Sequence, residues 1–135
     1  MKKWLSTAFV VWLSSFPAFA SEPMNATDVA GTWEGESKCT VRNSPCHDEH
    51  VIYHIAADKA VPDKARLEAY KVEEGKQELM GTLDCLYRAG EILTCTSNTS
   101  TKDYWEFRII RDRMIGSLVV GEQRTLYRRM GLRRK

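Results

Sequence analysis

The residues best suited to chemistry lie close together: Cys46, His47, Asp48, Glu49, His50 and His54 include all three histidines of the chain. Imidazole and carboxylate suit Zn or Cu(II), which makes His47, Asp48, Glu49 and His50 a candidate metal site. Spacing limits that reading. On a regular strand His50 and His54 share a face but stand roughly 14 Å apart at about 3.4 Å per residue, too far to share one ion. A site would have to form at the loop end, from His47, Asp48 or Glu49, and His50. No C-x-x-C or H-E-x-x-H spacing supports it, and a pinned, hydrogen-bonded loop is the plainer reading of the same residues.

Catalytic patterns are weaker still. The chain has no G-x-S-x-G and no P-loop, and its acids cannot be paired across space from the sequence alone. The expectation is a protein that is not an enzyme and needs no cofactor.

Four cysteines, Cys39, Cys46, Cys85 and Cys95, make an even set, which in a small exported domain reads as disulfides. Cys85 and Cys95 flank a segment with Gly90 at its middle, so a hairpin turning there places them opposite each other on neighbouring strands. Cys39 and Cys46 are left to close a short loop. Neither pair has the spacing of the familiar redox motifs.

Export is itself legible. Lys2 and Lys3 precede an apolar run from Trp4 to about Phe16, followed by Pro17 and the small-residue pattern Ala18-Phe19-Ala20, the three parts of a secretory signal. Cleavage after Ala20 gives residues 1–20 as leader and residues 21–135 as one domain, in a bacterial periplasm or outside the cell. The apolar run falls short of the roughly 20 residues of a bilayer span. Lys2 and Lys3 leave with the leader, so the remaining Lys and Arg balance the 18 acids. The charge that remains is uneven: Arg124, Arg128, Arg129, Arg133, Arg134 and Lys135 crowd the C-terminus, while Glu34, Glu36, Asp48 and Glu49 lie near the start. This fits a dipolar surface with a basic tail better than a nucleic-acid protein.

The elements that position these residues are strands. Apolar and polar residues alternate in short segments with turn signals between them, and no long stretch carries a helical stripe. The expected strands are Thr32 to Val41, His50 to Ala56, Ala65 to Val72, Leu79 to Leu86, Ile92 to Thr96, Tyr104 to Ile110, Met114 to Val120 and Thr125 to Met130. Eight strands with short connections suit an antiparallel up-and-down meander, and eight is the number at which a sheet closes into a small barrel without edges.

The segment Asp28-Val29-Ala30-Gly31-Thr32-Trp33-Glu34-Gly35 resembles the G-x-W motif at the start of the first strand of lipocalin and calycin barrels. The resemblance implies that Trp33 plugs one barrel end beside Gly31 and that an Arg of the last strand, here Arg128, packs over it. Stacking of guanidinium on indole is physically sound. It also implies carriage of a small apolar ligand or a cell-envelope component. Bacterial periplasmic metalloprotease inhibitors are similar in size, export, G-x-W start and disulfide-bearing barrel, which implies a protein partner instead. Ser44 to Glu49 is similar to a segment of small exported bacterial proteins of unassigned function, and implies no activity.

Non-reduced peptide mapping is expected to return Cys39–Cys46 and Cys85–Cys95. A crossed linkage such as Cys39–Cys85 would overturn both the pairing and the hairpin register.

Overall fold

A computed structural model describes residues 11–18 and 24–135. The rest of the expected leader, including Lys2, Lys3, Phe19 and Ala20, lies outside the described residues. Of the expected leader residues that are described, Val11, Trp12, Leu13 and Phe16 are exposed, and the core contains none of them. No helix among the described residues is long and apolar enough to cross a membrane.

A single 3-10 turn, Ala26–Asp28, precedes eight strands: β1 (Gly31–Cys39), β2 (Glu49–Ala57), β3 (Lys64–Glu73), β4 (Lys76–Arg88), β5 (Ile92–Ser97), β6 (Tyr104–Ile110), β7 (Arg113–Val120) and β8 (Thr125–Arg134). They form a closed antiparallel barrel in sequence order, and β8 pairs back onto β1. Period-two alternation produces this wall. In β6, Phe107 and Ile109 are buried while Glu106, Arg108 and Ile110 are exposed, and alternation sorts the inner and outer faces of most of the wall in the same way, whereas the first five residues of β4 are all exposed. Trp33, Phe107, Leu67, Leu93, Met114 and Val51 are the large side chains sealed inside.

Glycine makes two close approaches possible. A Cβ at Gly116 would fall 2.2 Å from the Phe107 ring, and one at Gly35 would fall 1.9 Å from the Gly131 carbonyl on β8. The Phe107 ring can therefore pack directly against Gly116 of β7, and β1 can meet β8.

Both disulfides form as expected. Cys85 and Cys95 are register partners on β4 and β5, and both are buried in the interior. The Cys39–Cys46 bridge closes the β1–β2 loop at the barrel end opposite Trp33. Partner-to-partner steps run from Ala57 through Ala65, Cys85, Cys95, Trp105, Leu118 and Arg128 to Cys39. Ala57 lies beyond the start of β1, whereas Cys39 is its last residue, so the strands are strongly staggered, as closure of a small barrel requires.

The main correction concerns the last strand. It continues past Met130 to Arg134, so the basic end is barrel wall and not a frayed tail. Trp33 is fully buried, and its indole N–H donates to the Val29 carbonyl at 3.0 Å. The cation over its ring is Arg134, at 4.4 Å from the centroid, and not Arg128. Positions 128 and 134 share a face, but register sets Trp33 opposite Arg134 and Cys39 opposite Arg128. Arg134 also donates to the Ala30 and Asp28 carbonyls, each at 2.7 Å, which ties the entry turn to the last strand. Gly31, at φ +131°, adopts a backbone conformation that favours glycine at this corner.

Trp33→Ala is expected to lower the unfolding free energy by about 3–5 kcal/mol, the usual effect of truncating a large buried aromatic, as read by denaturant unfolding with both disulfides intact. An unchanged midpoint would remove Trp33 from the core.

Candidate functional site

The barrel interior is filled at the Trp33 end and open at the Cys39 end, where a cavity of about 290 Å³ lies among residues of β1, β2, β3, β4, β7 and β8 with Trp105 of β6, Ser97 at the end of β5, and Asn98 and Thr99 just after it. Inward positions supply its apolar lining: Leu83, Trp105, Leu118 and Met130, with Met80 at the rim. Arg128 and Glu49 are its charged lining residues, with their charged groups 3.6 Å apart, and Thr82 and Ser97 to Thr99 add neutral polar groups.

Arg128 is held from several sides. Nη1 donates to the hydroxyl of buried Ser37 at 3.1 Å, and Nη2 donates to the His47 carbonyl at 3.0 Å. It therefore binds β8 to the end of β1 and to the disulfide loop. A guanidinium presents five N–H donors in a fixed plane, so it can hold these partners while facing the cavity. Tyr53 of β2 also lines the cavity. Desolvation holds its phenol well above the usual range, with Arg128 acting to lower it and Glu49 to raise it. The phenol is thus a neutral hydrogen-bonding group in an apolar wall.

The proposed metal ligands are not brought together. Glu49 turns inward to Arg128, whereas His50, its neighbour on β2, turns outward between Glu34 and Glu36. Successive strand residues face opposite sides, so these two cannot share an ion on a regular strand. The Asp48 carboxylate is occupied at 2.8 Å by the Cys39 backbone N–H, and His47 is exposed. His54 meets the Thr32 hydroxyl at 3.1 Å and the edge of Tyr70. Among the described residues no group of three or more His, Cys, Asp or Glu could hold a metal ion. The sequence cluster is a pinned loop followed by a strand with two faces.

Ser37, Tyr53 and Trp105 are among the cavity residues that the sequence did not single out. Their strand parity was available, because Trp33, Gly35 and Ser37 alternate on one face, as do Val51, Tyr53 and Ile55. Which inward positions surround empty space depends on the stagger, which no single strand reveals.

Comparison with protein-family models gives no match, and comparison with curated proteins gives none either.

On the outer face, the His50 ring bridges two carboxylates, with Nε2 2.9 Å from Glu34 and Nδ1 2.7 Å from Glu36. Donation from both nitrogens requires the imidazolium. The bonds to Glu34 and then Glu36 raise the His50 pKa, against a smaller opposing effect of desolvation. The Glu34 pKa is lowered, first by His50 and then by Lys135. The His50 contribution to stability is complete below its ordinary value of 6.5 and is lost as pH rises through the raised folded value. The Glu34 contribution is complete above its ordinary value of 4.5 and is lost as pH falls through the lowered folded value. The gap in thermal midpoint between wild type and His50→Gln should therefore be widest between pH 4.5 and 6.5. A gap that does not vary with pH would show that the bridge is absent in solution.

Proposed function

We propose that this chain is a non-catalytic exported barrel that binds a small, mainly apolar ligand in the cavity at its Cys39 end. The observation that carries the reading is the composition of that cavity, in which an apolar wall meets a single charged pair, Arg128 and Glu49. Binding pockets combine a mostly apolar lining with a few placed polar groups that fix orientation. At about 290 Å³ the space lies just below the roughly 300–1,000 Å³ range of ligand pockets. That size favours a compact molecule with one polar end over a two-chain lipid of the cell envelope.

Export is supported by two disulfides, which persist in oxidising compartments, and by a leader whose described apolar residues take no part in the core. A lipocalin-like reading is supported by Gly31, Trp33 and a stacked arginine, with Arg134 in the role expected of Arg128. A protein-binding, inhibitor-like role has one observation of its own. The β4 segment from Lys76 to Thr82 pairs with β3 but precedes the first β5 partner at Leu83, and it exposes Leu79 and Met80. A bare strand edge is a template for another chain.

Removal of Trp4 and Trp12 with the leader leaves two tryptophans: Trp33, sealed in the core, and Trp105, on the cavity wall. The probe 1-anilinonaphthalene-8-sulfonate should bind the processed chain and take up excitation from Trp105. Ala69→Phe, which fills the cavity, should weaken binding about tenfold or more, as overpacking predicts. Probe affinity unchanged by this substitution would overturn the reading. Native mass spectrometry of protein from its source should show a retained small molecule, whereas an empty barrel with a stoichiometric protein partner would favour the inhibitor-like role.

A further inference from the structure

The outer face of β6, β7, β8 and β1 carries a cluster of cations that the cavity does not use. Cross-strand register sets Lys38 beside Arg129 and Arg113 beside Arg133. It also sets Arg108 beside Ile115, and Ile110 beside Arg113. All seven side chains are exposed, Ile110 at 46% and Ile115 at 56%. Among the described residues, Lys38, Arg108, Arg113, Arg129 and Arg133 form no ion pair, in contrast to Arg128, Arg134, Lys71, Lys102 and Lys135. Three acids share the face with these five cations: Glu34, the register partner of Arg133, is taken by His50 and Lys135, Glu36, beside Gly131, is taken by His50, and Glu106 stands in the row of Ser117 and Arg129 without pairing to any of the five. Two like-charged pairs therefore stand directly opposite each other, an arrangement that is locally unfavourable in a sheet.

The centre of this face is hollow. Gly131 lies opposite Ile115, with nothing within 4 Å of the place a Cβ would occupy. Around it, Arg113, Ile115 and Arg133 border a shallow depression of about 250 Å³. Unneutralised guanidinium groups around exposed isoleucines match a surface that is anionic at one level and apolar just beneath it.

We propose that this face docks the barrel on an anionic lipid bilayer, with the cations against headgroup phosphates and Ile110 and Ile115 entering the interfacial layer. Peripheral binding of this kind adds electrostatic attraction to buried apolar area, and neither is sufficient alone. A soluble polyanion would use the cations and leave both isoleucines in water. Single-stranded nucleic acid would also want exposed aromatic platforms, whereas Tyr104 on this side of β6 is only half-exposed and is covered by Arg124. The inference is independent of what the cavity holds.

The test uses the chain from Ser21 onward, since every core residue lies at or beyond Met24 and the apolar leader would itself bind lipid. Flotation is compared for vesicles of phosphatidylcholine alone and vesicles with roughly a third phosphatidylglycerol. Partitioning onto the anionic vesicles should be at least about tenfold higher, and it should collapse in about 0.5 M NaCl as screening shortens the reach of the charges. Arg113→Glu with Arg133→Glu should abolish binding, and Ile110→Ser with Ile115→Ser should weaken it severalfold. Near-ultraviolet circular dichroism checks the fold, and Lys38→Glu with Arg129→Glu serves as a second charge-reversed variant if the first does not fold. Equal partitioning on both vesicle types would overturn the proposal, as would binding that survives charge reversal in a folded variant. Loss of charge dependence to heparin competition, with the isoleucine variant binding like wild type, would assign the face to a soluble polyanion or acidic protein and overturn the bilayer.

Discussion

Arg134 stacked on Trp33 is the contact on which the rest of the barrel depends. The guanidinium covers the indole at 4.4 Å and binds two carbonyls of the entry turn, so one side chain covers the plug and fastens the last strand to the segment before the first. An eight-stranded barrel is just wide enough for side chains to fill, and this one is filled from a single end. With Trp33, Phe107 and Met114 packed into that end, stability does not require the other end to close. The space at the Cys39 end can stay empty without a cavity in the main core.

One strand serves three environments. In β8, Arg128 and Arg134 face inward, at the cavity and over the plug, while Arg129 and Arg133 face outward. A cluster that looks like a uniform basic tail in the sequence becomes four arginines in separate surroundings, because alternation assigns the face and register assigns the height. Arg128 resides in a half-buried network with Ser37, Glu49 and the His47 carbonyl, and its charge is internally balanced. Arg129 and Arg133 have no such partners, and their field extends into solvent.

Strand positions and both disulfides were legible because they depend on period two and on short loops. Cys85 and Cys95 fell on one face and equidistant from a turn, which left little freedom. The inward alternation of Trp33 was legible for the same reason. The arginine that covers it was not: positions 128 and 134 are equivalent by parity, and only pairing between the first and last strands separates them. The end of β8 was placed too early because Gly131 and the arginines after it read as a tail, although Leu132 is buried in the wall. The metal candidate rested on a loop end, and its ligands are separated because β2 starts one residue earlier than expected, at Glu49, which turns Glu49 and His50 to opposite faces while the Cys39 N–H holds Asp48. The cavity depends on the stagger around the whole barrel, which is a property of closure and not of any segment.

Pairing of β1 with β8 has a kinetic side as well. Every other neighbour in the barrel is also a neighbour in the sequence, so those hairpins close short loops, whereas the seam joins residues such as Trp33 and Arg134 across nearly the whole domain. Closing a long loop carries an entropy that local contacts do not, and non-local pairing slows folding. In synthesis from the N-terminus, β1 emerges first and its final neighbour last, so one edge of β1 has to wait while six strands form. The Cys85–Cys95 bridge lies wholly within the early hairpins and can form during that wait. The cover over Trp33 is the last piece to arrive, and until then the largest of the fully buried side chains of the finished barrel remains open to other chains.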